Sequence, residues 1–309
     1  MTTISDYPRR YCSVCRSVVV KKFKPGPRGR PDARCPKCGS LERHRFLAVL
    51  LDVLEPMLPD VDILVDVAPT PQTTELFERL EPRLHTRVDI GFDDRRVDTM
   101  GSLTALPYRT DAADLLVCYH VLEHIPEDRQ AMAEIARVLK PEGLGLLQVP
   151  FNAGSPTDED PSAGKEERIE RFGRHDHVRF YGDDFEDRLV EAGLAIRRIT
   201  PLGLLGPDMV TWLRLSPDEA VWLVRPGDGA AVPSFPEPTA TSLTSTLDAA
   251  LGELASQHGK LLAARQRNEE LTRQNAQLRE RQSASVLGAG RRAVGRVAAR
   301  VRPGRRAGD

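Results

Sequence analysis

The stretch that constrains this chain most is residues 114–150. Residues 114–119 form a short apolar run, the pattern of a parallel strand covered on both faces. A polar loop follows at 120–125. Pro126 suits a first helical position, where its missing N–H costs nothing. Glu127 and Asp128 suit the positive end of a helix. Met132, Ile135 and Leu139 recur at helical spacing, and Lys140, Pro141 and Gly143 read as the helix end. Residues 144–149 read as a second buried strand. Strand, loop, helix, turn and strand make one βαβ unit. Such a unit implies a parallel sheet with a ligand crevice at the carboxyl ends of its strands.

The chain has 309 residues and a formal net charge of -1, enough for one α/β domain with extensions. No run of about 18 apolar residues occurs, so no membrane-spanning helix is expected. Residues 1–6 lack the basic and apolar regions of a signal peptide, and a cytoplasmic protein is expected. The first fifty residues and the last stretch are basic, and the middle is acidic.

Four of the five cysteines are paired as Cys12-Ser-Val-Cys15 and Cys35-Pro-Lys-Cys38. Without a secretory context, two C-x2-C knuckles roughly twenty residues apart favour a metal over disulfides. Four thiolates suit a closed tetrahedral Zn²⁺ site, structural because no ligand position stays open. Arg16, Arg34 and Lys37 would help keep the thiols ionised. The metal would supply folding energy that this apolar-poor segment lacks; a pair of redox dithiols is the alternative. The basic loop from Lys21 to Arg30 is either a phosphate- or acid-binding element or a solvated loop. A helix is expected from Ser40 to Pro56, burying Phe46, Leu47, Leu50, Leu51 and Leu54.

The segments His120-Val-Leu-Glu-His-Ile-Pro126, Arg137-Val-Leu-Lys-Pro-Glu-Gly143 and Gln148-Val-Pro150 resemble the later half of class I S-adenosylmethionine-dependent methyltransferases, in particular the branch called methyltransferase type 11. The resemblance spans roughly residues 60–225 and implies S-adenosylmethionine as cofactor. In that family the first strand, here residues 63–67, is followed by a glycine-rich turn. This chain has Asp66-Val-Ala68-Pro69-Thr-Pro71 instead, with no glycine. Asp66, Ala68 and Pro69 are therefore the matching cofactor positions. Thr70 can cap the next helix, with Pro71 at its first position and Leu76, Phe77 and Leu80 on its buried face.

An acid ending the second strand, here 87–90, can accept the ribose hydroxyls, which makes Asp89 the candidate; a plain turn aspartate is the alternative. Ser102 stands where the family usually has an acid for the adenine amino group, and a neutral hydroxyl accepts more weakly. Leu103 would line the adenine. His120, ending the fourth strand, either takes a proton from the acceptor or shapes the pocket through backbone hydrogen bonds. His124 would cap the following helix or line the acceptor pocket. Cys118, inside the strand, reads as an inert core thiol.

Residues 151–181 are a long polar insertion, and loops of that length usually cover a site. His175, Asp176 and His177 are expected to reach the acceptor, with His175 and His177 as further candidate bases. His-x-His also suits a metal, but the sequence offers no evident third ligand, and exposed ion pairing is the bland alternative. A helix at 183–192 and two antiparallel edge strands, at 194–199 and 220–224, should complete the sheet, joined by residues 200–218.

The expected organisation is a zinc ribbon (1–40), a methyltransferase domain (41–225), a Pro-rich linker (226–242), a helical or coiled-coil segment (243–282) and an Arg-rich tail (283–309). Leucines at alternating four–three spacing, with Asn268 and Asn275 at seam positions, would suit a homodimer. A lone helix lying on the body is the competitor. The arginines after Gly290 could meet nucleic acid or an anionic membrane surface.

The fold class read from the sequence is α/β. It is a Rossmann-like, mostly parallel sheet with helices on both faces, preceded by the ribbon and followed by the helix. The resemblance implies methyl transfer to a small-molecule or glycan hydroxyl. A nucleic-acid or protein methyltransferase recruited by basic termini, and a non-catalytic scaffold, are the alternatives.

Overall fold

The computed structural model describes residues 10–19, 22–55, 58, 60–91, 97–227, 232, 267, 268, 270–272 and 274. Residues 1–250 form one compact unit and 251–309 another. In the second unit the described residues are helical, Leu271 is half exposed, and the Thr272 hydroxyl donates to the Asn268 carbonyl at 2.7 Å. The Arg-rich tail lies outside the described residues, as do nearly all of the linker and most of the coiled-coil segment.

The first unit begins with a small antiparallel pair, β1 (Arg10–Cys12) and β2 (Ser17–Val19). Helix α1 (Glu42–Leu54) follows and buries the five apolar side chains expected of it. Its first turn is closed by the Leu41 N–H, which donates to Nδ1 of buried His44 at 3.3 Å. The main sheet then starts at β3 (Ile63–Val67). Next come α2 (Pro71–Phe77), capped by Thr70, then β4 (Leu84–Asp89), β5 (Thr99–Met100), β6 (Ala113–Tyr119), α3 (Asp128–Val138) and β7 (Leu139–Gln148). The insertion carries β8 (Asp158–Glu159), α4 (Lys165–Phe172) and β9 (Arg179–Phe180). The chain continues through α5 (Phe185–Glu191), β10 (Leu194–Ile199), α6 (Pro201–Leu213) and β11 (Val221–Pro226).

The seven-stranded sheet has the order β10-β11-β7-β6-β3-β4-β5. β5 through β7 run parallel, and β11 and β10 are antiparallel additions at one edge. The order reverses at β3, whose neighbours are β4 and β6. That is the topological switch point at which open α/β sheets bind ligands. One face packs α1, α2, α6 and the cysteine-bearing segment, through Phe46, Leu50, Leu76, Leu204 and Trp212. The other face packs α3 and α5, through Met132, Ile135, Phe185 and Leu189.

Three local expectations change. Lys140 to Gly143 do not end a helix but open the long strand β7, where the Lys140 ammonium pairs with Asp114 at 2.6 Å. Pro126 precedes α3, and Leu122–His124 forms a separate 3-10 turn. Residues 200–218 are not a plain connection. They hold the apolar helix α6, whose Gly206 (φ 73°) makes a kink before Pro207. Gly and Pro masked the helix in the sequence because both weaken helices locally, while burial of Leu204, Leu205, Met209 and Leu213 supports it.

Candidate active site

At the end of β3 the chain bends at Ala68, with φ 51°. That left-handed conformation is normally left to glycine, because a Cβ crowds the following carbonyl. The alanine holds it with its N–H donating to the Val88 carbonyl of β4 at 2.8 Å. Pro69 and Thr70 then lead into α2. Asp89 ends β4, half-buried, and its Oδ1 accepts from the Ile90 N–H at 2.7 Å. Ala68 and Asp89 thus stand at the carboxyl ends of neighbouring parallel strands, and His120 ends β6 on the other side of β3.

Asp66 is different. It lies within β3, is 2% exposed, and faces His85 Nε2 of β4 at 3.5 Å. Burial raises its carboxyl above the ordinary range. Ser102 is occupied locally: its hydroxyl accepts from the Thr104 N–H at 3.2 Å and shares a 2.8 Å bond with the Thr104 hydroxyl. Leu103 beside it is buried.

On the acceptor side, His120 has φ 57° and donates its N–H to the Gln148 carbonyl of β7 at 2.8 Å. Its Nδ1 lies 3.1 Å from Oε1 of Glu123, a carboxylate with no exposed surface. A carboxylate only accepts, so Nδ1 carries the proton and Nε2 keeps a lone pair. That Nε2 is buried without a hydrogen-bond partner. Burial works to raise the Glu123 carboxyl, but the hydrogen bond from His120 helps hold it below the usual range.

The Tyr119 hydroxyl, the Gln148 amide, Glu123 Oε2 and Glu219 Oε2 are also buried without partners. Burial raises the Glu219 carboxyl above the ordinary range. Buried polar groups are normally hydrogen-bonded, so a set left open around a strand end is what a polar ligand pocket requires. Tyr119 and Gln148 were not singled out as site residues because strand residues of unknown register give no sign of which way they face, and Glu219 lies in the turn segment before β11.

The insertion is tied onto this loop. Arg179, 1% exposed, donates to the carbonyls of Leu122, at 2.9 Å, of Ile125, and of Pro126, at 2.9 Å, and to Glu159 Oε2 at 3.0 Å. The Tyr181 hydroxyl donates to Asp128 at 2.9 Å, and the Val178 N–H donates to the Glu123 carbonyl at 2.9 Å. These contacts bring His177, which is buried, to His124, with ring centroids 4.7 Å apart. Burial lowers the His177 imidazole to about 4. Asp176 meets His124 through its backbone carbonyl, at 3.0 Å from Nδ1, and through Oδ2 at 3.6 Å. Arg174 holds its carboxyl well below the usual range. His175 is exposed and lies outside this group.

The four knuckle cysteines also converge. Cys12 and Cys38 Sγ are 3.7 Å apart, Cys15 and Cys35 Sγ 3.9 Å, and all four lie within 4.8 Å of one another. Tetrahedral thiolates each about 2.3 Å from one zinc ion would be about 3.8 Å apart. None of the cysteines forms a disulfide. Ser40 Oγ lies 3.2 Å from both Cys12 and Cys38. Hydrogen bonding within the set pulls Cys35 and Cys38 below the ordinary thiol range and pushes Cys15 above it. Of the basic residues expected to assist, Arg16 pairs with Asp52 and Lys37 donates to Ser17. The buried cation whose charge interacts with the thiols is Arg45, which has no exposed surface.

Residues 69–147 match the family described as methyltransferase domain. No curated protein matches the chain. Among solved structures, the YcgJ protein of Bacillus subtilis is 18% identical, with a TM-score of 0.41 over 59% of this chain and 98% of that one. An S-adenosylmethionine-dependent methyltransferase of Thermotoga maritima is 16% identical, with a TM-score of 0.41 over 60% and 91%. One from Mesorhizobium loti is 12% identical, with a TM-score of 0.40 over 57% and 97%. The matched segment runs from the turn after β3 to β7, so residues 69–147 of this seven-stranded, mostly parallel fold are similar to a methyltransferase domain.

Proposed function

We propose that the chain methylates a hydroxyl of a small molecule or glycan. S-adenosylmethionine supplies a methyl carbon already made electrophilic by its sulfonium. The residues present fit that cofactor: the left-handed bend at Ala68 opens the end of β3, and Asp89 offers a carboxylate at the end of β4 for the ribose hydroxyls. The chain's own task is then to align the acceptor and take its proton. The observation that carries this reading is the His120–Glu123 pair, a buried carboxylate fixing the imidazole so that Nε2 is a ready base. The open polar atoms of Tyr119, Gln148 and Glu219 suit an acceptor rich in hydroxyls.

Four converging thiols support structural zinc in the knuckles, and reduced thiols suit a cytoplasmic setting. Elemental analysis of purified protein should find one zinc per chain. Dimerisation through residues 243–282 also belongs to this reading, and a strictly monomeric mass at high concentration would remove it.

The reading is tested by following S-adenosylhomocysteine release with panels of sugars and other hydroxylated small molecules, nucleic acids and proteins. Release with a hydroxylated small molecule or glycan, cut on the order of a hundredfold or more in His120→Asn, is expected. Release only with a nucleic acid or a protein, or none with any panel, would overturn it.

A further inference from the structure

Glu123, His124 and His177 offer ligand atoms that all lie within 4.8 Å of one another. Two of these residues come from the loop after β6, and the third comes from the insertion more than fifty positions later. Arg179 and the Val178 N–H hold the two segments together.

The hydrogen bonds around the imidazoles are those a metal site needs. His177 Nδ1 lies 3.2 Å from the Phe172 carbonyl, and His124 Nδ1 lies 3.0 Å from the Asp176 carbonyl. A carbonyl only accepts, so each Nδ1 carries its proton and each Nε2 is left with a lone pair. Backbone carbonyls commonly fix metal-binding histidines in this way.

Glu123 is completely buried, and its Oε2 has no partner. His177 Nε2 stands 3.9 Å from Glu123 Oε1, too far for a hydrogen bond. Two donors each about 2.1 Å from one ion span roughly 3 to 3.5 Å, so a small closure would let both reach a shared cation. Two imidazoles and one carboxylate suit a first-row divalent cation and leave positions open.

We propose that Glu123, His124 and His177 bind a divalent transition-metal ion beside the acceptor pocket, distinct from the four-cysteine centre. Its role toward the acceptor rests on the methyl-transfer reading above; its binding does not. An acceptor hydroxyl on an open position loses its proton more readily. His120, hydrogen-bonded to the same Glu123 carboxylate, has the unpartnered Nε2 to receive that proton.

The test uses the full chain with its cysteines loaded with zinc, titrated with Mn²⁺ and read by electron paramagnetic resonance. Mn²⁺ suits nitrogen and oxygen donors rather than thiolates, so it reports the second site. One Mn²⁺ per chain is expected, weakened at least tenfold in Glu123→Gln and in His177→Gln. Titration of each variant with S-adenosylhomocysteine, together with its circular dichroism, reports whether the domain still folds. Should either variant unfold, His124→Gln takes its place with the same expectation.

Absence of Mn²⁺ binding by wild-type protein that still binds S-adenosylhomocysteine would overturn the metal site and leave the methyl-transfer reading standing. Equal Mn²⁺ affinity in folded variants would overturn the assigned ligands. Mn²⁺ binding by a chain that ignores S-adenosylhomocysteine would support the metal and sink the methyl-transfer reading instead.

Discussion

Arg45 donates from Nε to the carbonyl of Leu213, 2.9 Å away and 168 positions later in the chain. Its other nitrogens donate to the carbonyls of Ala33, at 2.9 Å, of Ser40, at 3.1 Å, and of Arg214, at 2.5 Å, and the guanidinium lies 4.5 Å over the Phe23 ring. One buried side chain thus joins α1, the cysteine-bearing segment and the end of α6. Tyr11 stacked on Trp212, with centroids 5.4 Å apart, reinforces the same junction. The knuckle is therefore built into the α/β unit rather than strung before it. A zinc ion held by four thiolates would carry net negative charge, which the buried guanidinium nearby would offset.

Replacing Arg45 should accordingly be costly. Arg45→Met fills much of the space but takes this donor from four carbonyls; the Ser40 carbonyl keeps the Cys35 N–H at 2.8 Å, and each orphaned buried acceptor costs about 1–3 kcal/mol. A loss of about 3–5 kcal/mol in urea unfolding of the zinc-loaded protein is expected. A change under 1 kcal/mol would show that the junction does not hold the parts together.

Ala68 gives a second prediction. The left-handed bend costs a non-glycine residue about 1–2 kcal/mol, while glycine adds freedom to the unfolded chain worth about 0.4–1 kcal/mol. Ala68→Gly should therefore stay within about 1 kcal/mol of wild type and keep cofactor affinity. Ala68→Val, β-branched at positive φ, should lose about 1–3 kcal/mol and weaken S-adenosylhomocysteine binding. Denaturant melts and calorimetry of the two variants check both outcomes, and equal behaviour of valine and glycine would show that the bend does not matter.

Most of the sheet was legible in the sequence. Residues 63–67, 114–119 and 194–199 read as strands because apolar runs bounded by turn signals leave little choice, and Thr70-Pro71 marked the start of α2. Helix α6 was hidden by its own Gly203, Gly206 and Pro207. The turn proposed to meet the cofactor was legible in position, but its left-handed alanine was not, since only backbone geometry reveals φ. His124 and His177 were each singled out, but not their convergence with Glu123. Glu123 and His124 come from a loop brought close to His177 by Arg179 and Tyr181, and no local pattern encodes that tie.

Stability should fall in mild acid. Burial lowers the His44 imidazole to about 3, so the folded protein keeps it neutral while the unfolded chain, near the ordinary 6.5, takes up a proton first. A group with a depressed folded value that must be neutral to fit contributes fully above 6.5, and its contribution is lost as pH drops below that. From pH 7 to pH 5 this one histidine should cost about 2 kcal/mol. His44→Gln, which keeps an acceptor for the Leu41 N–H, should show a decline smaller by that amount; identical slopes would refute it.

The central claim is that the ends of β3, β4 and β6 form a working adenosine crevice despite the missing glycines. Titration calorimetry of the zinc-loaded chain with S-adenosylhomocysteine tests this most directly. One site per chain is predicted, weakened at least tenfold by Asp89→Ala, which removes the carboxylate assigned to the ribose. No heat and no thermal shift at millimolar ligand would contradict it.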